Sequence, residues 1–514
     1  MTVATPAALP AHVRMLVLVA TILGSSMVFI DATVVNIALP VVQRDLHATA
    51  IDMQWVVNAY TLFLAALMLV GGSLGDHYGR RRVFVIGTVI FAAASAWCGF
   101  APDVHHLIFA RALQGVGSAL LTPGSLAIIS ATFEGKARGQ AIGTWSSFSA
   151  MTTAFGPALG GAIVQYASWR WVFFINIPLA IGVIAASLAG VPETRDDERV
   201  HHLDWTGSIL ATIGLGGLTY GLITAGATGF GDPVVIATLA LGLATLVAFV
   251  VWEGHAKSPM MPLDLFKSPT FSGTNALTFL LYAALSGVLF FVPFNLIQVQ
   301  HYPPSLAGLT MLPFVVLMVA LSPWAGGLVA RYGSKLPLTI GPAIAAIGFA
   351  LYAVPGVGGS YWTTWFPAFV VLGLGMSVTV APLTTTVLES ASEAHVGLAS
   401  AINNAISRAA GLFAVAAFSL VVLGVFGSRM DSSVARINAP GVPMQHIAAE
   451  MHAQRSDLAQ AQPPADAPPQ IRDQLKEIVV NSYISGFRMA MLLGALFAVL
   501  SALIALFFIP ARPD

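Results

Sequence analysis

Long apolar segments alternate with short polar ones along almost the entire chain. A helix that crosses the hydrocarbon core of a bilayer needs about 20 mostly apolar residues, and we find fourteen segments that meet this requirement. The pattern therefore predicts an all-α polytopic membrane protein with fourteen transmembrane helices. The predicted spans are residues 15–37, 53–72, 83–100, 106–130, 139–165, 171–190, 206–226, 233–252, 271–297, 305–330, 336–354, 363–388, 398–427 and 483–510.

The composition strengthens this interpretation. The 514 residues are 57% hydrophobic and 9% charged, with a mean hydropathy of +0.81, whereas a soluble domain carries about 25% charged residues. Basic and acidic residues balance at 23 each, so no cationic surface for nucleic acid is expected. Cys98 is the only cysteine, which excludes an intrachain disulfide and a cysteine-cluster metal site. The histidine pairs at 105–106 and 201–202 have no further ligands nearby, and we expect neither a metal nor a cofactor.

The distribution of basic residues between the loops predicts the orientation. With the N-terminus in the cytoplasm, the short outside loops contain only Arg44 and the boundary residue Arg170. Because short cytoplasmic loops carry an excess of Lys and Arg, we predict that both termini are cytoplasmic. The inside loops then contain Arg80, Arg81, Arg82, Lys136, Arg138, Arg195, Arg199, Lys257, Lys267, Arg331 and Lys335.

An internal repeat predicts two related halves. The segment Gly72–Arg81 follows the second span, and a partial copy, Gly326–Lys335, follows the tenth. Transporters built from parallel repeats rock one half against the other around a site near the bilayer midplane. The predicted domains are an N-terminal six-helix half at 1–190, a linker with two extra helices at 191–269, and a C-terminal six-helix half at 270–514 with an outside loop at about 428–482.

One acidic residue, Asp31, lies well inside an apolar span. A carboxylate in hydrocarbon costs roughly 2.5 to 3.5 kcal/mol on insertion scales, so its presence indicates a functional site. Arg111 is predicted at the same depth in the fourth span, and Gln114 lies on the same helix face as Arg111. None of the twelve histidines lies deep in a span. We predict that Asp31, Arg111 and Gln114 carry proton coupling; the alternative is a static buried pair.

The loop after the second span combines glycines with charges. Gly72 and Gly79 permit a tight turn and a close approach of helix ends, and Asp76 is placed to pair with an arginine of this or a neighbouring loop. Such a pair would form and break as the halves move. We predict a conformational switch formed by Gly72, Asp76, Gly79, Arg80 and Arg81, with a simple topology signal as the alternative.

Several segments resemble motifs of the major facilitator superfamily. Gly72–Arg81 resembles its motif A, Leu107–Gly117 its motif B, and Ala154–Gly161 its motif C, the antiporter motif of drug exporters. Asp31–Pro40, Trp169–Pro178 and Leu203–Gly207 are similar to motifs of the 14-helix drug:proton antiporter branch. The motifs occur in order within the first 207 residues, and the span count extends the likeness over the whole chain.

The resemblance implies a major facilitator fold and a secondary active transporter, not an enzyme. It implies a proton-coupled antiporter that exports lipophilic drugs or other amphipathic small molecules by alternating access across a bacterial inner membrane. Gly156, Pro157, Gly160 and Gly161 of the antiporter motif would then pack a bent helix that seals the closed state. The implied partners are protons, a lipophilic small-molecule substrate and membrane lipid, with a periplasmic adaptor protein as a further candidate.

Two alternatives remain for the direction and the cargo: a proton-coupled uptake symporter, or an exporter of an endogenous metabolite. Because no second acid accompanies Asp31 in the spans, neutral or monocationic compounds are favoured over dications. Arg408 either reaches the cytoplasmic interface or contacts substrate. The weak candidates for the substrate cavity are Asn275, Asn295, Gln298, Asn403 and Asn404.

Overall fold

Helices are the only regular secondary structure in the described part of the computed structural model, which comprises residues 10–195, 204–257, 259–391, 396–440 and 442–511. The first group of helices is α1 (Ala11–Asp45), α2 (Ala50–Tyr78), α3 (Arg80–Phe100), α4 (Val104–Thr132), α5 (Gly135–Tyr166), α6 (Trp171–Phe174) and α7 (Asn176–Gly190). A central pair follows, α8 (Trp205–Thr228) and α9 (Pro233–Glu253). The remaining helices are α10 (Pro269–Phe294), α11 (Pro304–Thr310), α12 (Leu312–Tyr332), α13 (Lys335–Leu351), α14 (Tyr361–Thr364), α15 (Phe366–Glu389), α16 (Val396–Val434), α17 (Met444–Ala453) and α18 (Pro469–Phe508).

Local chemistry explains where several helices begin and end. The Thr49 hydroxyl accepts from the Asp52 backbone N–H while the Asp52 carboxylate accepts from the Thr49 N–H, so α2 starts with a capping box. Asp204 caps α8 through the backbone N–H of Gly207. The α2–α3 turn contains Gly79 at φ 109°, a conformation that favours glycine.

Twelve helices in the described residues are long and apolar enough to cross a membrane. The chain is therefore a multi-pass membrane protein. The two other predicted spans correspond to α5, whose first half is rich in Ser, Thr and Gly, and to α13, an apolar helix of 17 residues. The count of fourteen stays a prediction for these two helices.

The helices pack as two groups with the central pair beside them. In the first group α4 packs against α2 and α3, and α1 packs against α5 and α7. In the second group α15 packs against α12 and α13, and α18 packs against α10, α13 and α16. The central helices α8 and α9 pack against each other, and α8 also contacts α2 and α16. Between the groups, the extensive contacts are α5 with α11 and α2 with α16.

The segment predicted as an outside loop at 428–482 is helical at both ends. Helix α16 continues to Val434 and α18 begins at Pro469. The segment between them contains α17 and a 3₁₀ turn, Arg455–Gln460. Gln460 Nε2 lies 3.4 Å from both the Pro40 carbonyl oxygen and Gln43 Oε1 at the end of α1. The segment therefore reaches from the second group of helices to the first.

Candidate functional site

Helices α1 and α4 bring Asp31 and Arg111 together in the interior of the first group. Arg111 Nη1 donates a hydrogen bond of 2.5 Å to Asp31 Oδ2. The side chains of Asp31 and Arg111 are 0% and 2% exposed. Gln114 Nε2, one helical turn after Arg111, donates to Asp31 Oδ1 across 2.8 Å. The structure thus brings all three predicted residues into one contact network.

Arg111 is also held independently of the carboxylate. Its Nε donates to the Val56 carbonyl oxygen at 3.1 Å, and its Nη1 donates to Gln114 Oε1 at 2.7 Å. The Tyr60 ring lies 4.1 Å from the guanidinium carbon, a distance at which a cation and an aromatic face attract each other. The arginine therefore keeps three contacts when Asp31 is neutral, and its position does not depend on the ion pair alone.

Two residues missed by the sequence analysis complete the network. Asn176, the first residue of α7, donates through Nδ2 to Asp31 Oδ1 at 3.3 Å and to Ser95 Oγ at 2.9 Å. Ser95 Oγ also accepts from Gln114 Nε2 at 2.9 Å. The available signal was an asparagine inside an otherwise apolar segment, 171–190. Asp31 thus accepts hydrogen bonds from one cation and two amides.

The antiporter motif residues seat α5 against helices of both groups. A Cβ placed on Gly156 would stand 1.9 Å from Thr33 Oγ1, and one on Gly160 would stand 2.9 Å from Val34 Cγ1. Both neighbours belong to α1, one turn from Asp31. Small residues allow such close approach between membrane helices, so the motif positions α5 beside the helix that carries the acid.

The same motif also faces α11 in the second group. A Cβ on Gly161 would stand 2.2 Å from the Pro304 carbonyl oxygen, and a Cβ on Gly308 would stand 2.1 Å from the Pro157 carbonyl oxygen. The backbones therefore touch at a place where no side chain fits. The crossing of α5 and α11 brings the two groups into direct contact on the predicted outer side.

Further contacts close the predicted outer side. Gln298 Nε2 donates to Gln43 Oε1 at 3.0 Å, and the Ser305 backbone N–H donates to Gln165 Oε1 at 3.1 Å. Toward the other end of α5, a Cβ on Gly139 or Gly143 would meet no atom within 4 Å. The backbone contacts of α5 with the second group are therefore concentrated toward the predicted outer side.

The charged residues of the α2–α3 turn pair as the sequence analysis anticipated, with one additional acid. Arg80 Nη2 lies 2.7 Å from Asp76 Oδ1. Arg81 and Arg82 each place Nε 3.6 Å from Glu193 Oε2, and Glu193 follows α7. Glu193 was missed, although an acid just after the sixth span, on the same predicted side, was its signal.

Gly79 of this turn and two glycines within α2, Gly71 and Gly72, differ in how much space a side chain would have. A Cβ on Gly79 would stand 2.5 Å from Glu193 Oε1, and a Cβ on Gly71 would stand 2.1 Å from the Ala119 carbonyl oxygen. At Gly72 the nearest atom, in Pro123, would be 3.6 Å away, which is ordinary contact. The close helix approach expected at Gly72 is therefore made by Gly71, because this residue faces α4.

The five weak candidates for the substrate cavity fall into separate places. Asn403 Nδ2 donates to Asn275 Oδ1 at 3.0 Å, whereas Gln298 contacts Gln43 and Asn295 Oδ1 accepts from Gln300 Nε2. Asn275 and Asn295 are twenty residues apart, or roughly 30 Å at 1.5 Å per residue. Asn404 is exposed. These side chains do not line one cavity.

The sequence is similar to a known family and to several characterised proteins. The family description Major Facilitator Superfamily matches residues 21–415. The chain is 32% identical over 502 residues to the Tetracenomycin C resistance and export protein of Streptomyces glaucescens, covering 97% of this chain and 92% of that protein. It is 34% identical over 411 residues to the puromycin resistance protein pur8 of Streptomyces alboniger, covering 79% and 81%. It is 32% identical over 444 residues to the multidrug resistance protein Stp of Mycobacterium tuberculosis, covering 85% and 81%.

Solved structures share the fold at low identity. A bacterial homologue of the human lysosomal transporter Spinster, in an inward-facing and occupied conformation, aligns with a TM-score of 0.65 and 16% identity, covering 96% of each chain. This likeness shows the fold alone.

Proposed function

The chain belongs to the major facilitator superfamily, and from this premise we propose that it is a proton-coupled antiporter that exports lipophilic drugs or similar amphipathic compounds by alternating access. Two observations support export: similarity to a Tetracenomycin C resistance and export protein and to a puromycin resistance protein. Both names describe proteins that protect against antibiotics, which favours outward transport over the uptake alternative. The substrate of this chain is proposed to be a compound of that kind.

The observation that carries the proton-coupled part is the position of Asp31. It is fully buried inside a membrane-spanning helix, and it accepts hydrogen bonds from Arg111, Gln114 and Asn176. A buried carboxylate with a polar network is the kind of group that binds and releases protons in transporters. Protonation removes the attraction between Asp31 and Arg111, while Arg111 keeps its contacts with Val56, Gln114 and Tyr60.

The proposed cycle couples this protonation to the contacts between the two halves. The close contacts of α5 with α11 seal the outer side, and their separation would open it. On the cytoplasmic side, the pairs Asp76–Arg80 and Glu193–Arg81 would form and break as the halves rock. The halves are the proposed domains 1–190 and 270–514, with the linker 191–269 supplying two extra helices. With α5 and α13 crossing as well, the count is fourteen, and both termini lie in the cytoplasm.

The proposal is tested in liposomes that contain the purified protein and a trapped pH-sensitive dye. Addition of a transported drug to the wild type is expected to move protons in the opposite direction, and an imposed proton gradient is expected to drive drug movement. Asp31→Asn should abolish both responses while the protein still inserts. Asp473→Asn, at an acid whose side chain is 79% exposed, serves as the matched control. Proton-driven drug movement by Asp31→Asn at the wild-type rate would show the coupling assignment to be wrong.

A further inference from the structure

A second arginine, Arg408, lies deep in a membrane-spanning helix. It is eleven residues after Gly397, where the span of α16 begins, a distance of about 16 Å at 1.5 Å per residue. Arg408 interacts electrostatically with Tyr60 and Tyr282, which lie near the middle of α2 and of α10, so it lies well inside the helix bundle.

Arg408 has no counter-charge within the part of the chain that the structure describes. It forms no ion pair and no side-chain hydrogen bond there, and its side chain is half-buried. By contrast, Arg111 is paired with Asp31. An unpaired cation at membrane depth is costly, and such residues normally pair or face a water-filled cavity. All five N–H donors of Arg408 are therefore available to a ligand.

Arg408 lies close to helices of both groups. Arg408, Leu412 and Val415 follow the spacing of one helix face, and α16 packs against α2 of the first group. Arg408 lies within electrostatic range of Tyr60 in α2 and of Tyr282 in α10. The guanidinium is thus placed between the two halves.

The helical turns on either side of Arg408 differ in their packing. Gly411 packs against Ser286 of α10, because a Cβ on Gly411 would stand 3.1 Å from Ser286 Oγ. One turn nearer the predicted cytoplasmic side, Asn404 is exposed. Arg408 therefore lies between a packed turn and an exposed turn of α16.

The balance of charge decides what such a ligand is. Asp31 and Arg111 neutralise each other, so the described residues at this depth leave one positive charge, that of Arg408. We propose that Arg408 binds the acidic group of the exported compound, so that the preferred substrates are lipophilic weak acids with a carboxylate or phenolate group. This inference rests on the proposed export function and names its substrate class.

The chemistry of the side chains fits this class. A guanidinium presents parallel N–H donors that match the two oxygens of a carboxylate, and such charge-assisted hydrogen bonds are among the strongest in proteins. Tyr60 and Tyr282 also interact electrostatically with Arg408. The expectation of neutral or monocationic substrates was based only on the acidic residues of the spans. With Arg408 included, the preferred substrate charge becomes negative.

A pair of xanthene dyes tests the inference, with fluorescein as the anion and rhodamine 123 as the cation. Binding to the purified protein is measured by fluorescence polarisation without any gradient. The wild type is expected to bind fluorescein at least tenfold more tightly than rhodamine 123. Arg408→Gln should weaken fluorescein binding at least tenfold, Arg408→Lys should weaken it less, and Arg331→Gln, at an exposed arginine over Tyr332, should leave it unchanged.

The two proposals fail in different ways. Unchanged fluorescein binding in Arg408→Gln, or tighter binding of rhodamine 123 by the wild type, would overturn the substrate assignment whatever the transport assay shows. If fluorescein binds through Arg408 but a proton gradient does not drive its movement in liposomes, the antiport mechanism is overturned and the binding site stands. Asp31→Asn is expected to retain fluorescein binding, because the loss of the Asp31 carboxylate affects proton coupling and leaves Arg408 in place.

Discussion

Arg111 Nη1 donates a 2.5 Å hydrogen bond to Asp31 Oδ2, and the two side chains are 2% and 0% exposed to solvent. The residues are 80 positions apart in the chain and belong to different helices. Removal of one partner of a buried ion pair leaves an uncompensated charge, which typically costs 3–5 kcal/mol of stability, whereas removal of both charges is far less costly.

A double-mutant comparison follows from this pair. Arg111→Gln is expected to lower the thermal unfolding temperature strongly, because Asp31 is then a buried carboxylate without its cation. The double variant Arg111→Gln with Asp31→Asn should recover most of the loss. Thermal unfolding of the detergent-solubilised protein measures both, and equal destabilisation of the single and double variants would contradict a charge-based cause.

Asn176 provides a test of the network around Asp31. Its Nδ2 donates to Asp31 Oδ1 and to Ser95 Oγ, so Asn176→Leu removes a donor that stabilises the carboxylate. We expect Asn176→Leu to slow proton-driven transport in liposomes, because Asp31 loses one of its two amide donors. Ser95→Ala, which leaves the Asn176–Asp31 contact in place, should slow it less. A wild-type rate in Asn176→Leu would exclude Asn176 from the coupling network.

Two adjacent glycines of α2, Gly71 and Gly72, offer a matched comparison. Gly71→Ala should disrupt the contact with α4, since its Cβ would stand 2.1 Å from the Ala119 carbonyl oxygen. Gly72→Ala, whose Cβ would meet Pro123 at 3.6 Å, should be tolerated. Membrane expression and thermal unfolding measure the difference. Equal stability of the two variants would show that the backbones of α2 and α4 separate without cost.

Gly79 and Glu193 are expected to act together. Gly79 has φ 109°, and a Cβ there would stand 2.5 Å from Glu193 Oε1. Gly79→Ala should therefore strain the turn and displace Glu193 from Arg81, with a transport rate reduced at least tenfold. Glu193→Gln keeps the shape but removes the charge, and it is expected to slow transport while leaving thermal stability within a few degrees. An unchanged rate in Glu193→Gln would exclude this acid from the conformational switch.

Closure of the outer side can be tested by cross-linking. The Ser305 N–H donates to Gln165 Oε1, so cysteines at these two positions should react with a short reducible cross-linker. Cross-linking is expected to stop transport, because α5 and α11 can no longer separate, and reduction should restore it. Cys98 is buried and provides a low background. Full transport by the cross-linked protein would contradict alternating access through this contact.

Much of the molecule could be predicted from the sequence. Span positions, the buried acid and the motif residues all depend on local patterns, because hydropathy and helical spacing are properties of contiguous segments. Asp31, Arg111 and Gln114 could be grouped because the position of each residue within its span predicts its depth in the membrane. The family could be predicted because its motifs are short and occur in order.

The partners of these side chains were decided by the tertiary structure. Asn176 meets Asp31, and Ser95 meets Gln114 and Asn176, only because α3 and α7 pack beside α1 and α4. Glu193 meets Arg81 across 112 positions. The amides Asn275 and Asn295 looked equivalent in the sequence but lie near opposite ends of α10. Hydropathy gives the depth of a residue but not the direction in which its helix face points. The angle and rotation of each helix arise from packing between distant segments, so only the folded chain shows that Asp31 is paired while Arg408 has no ion-pair partner among the described residues.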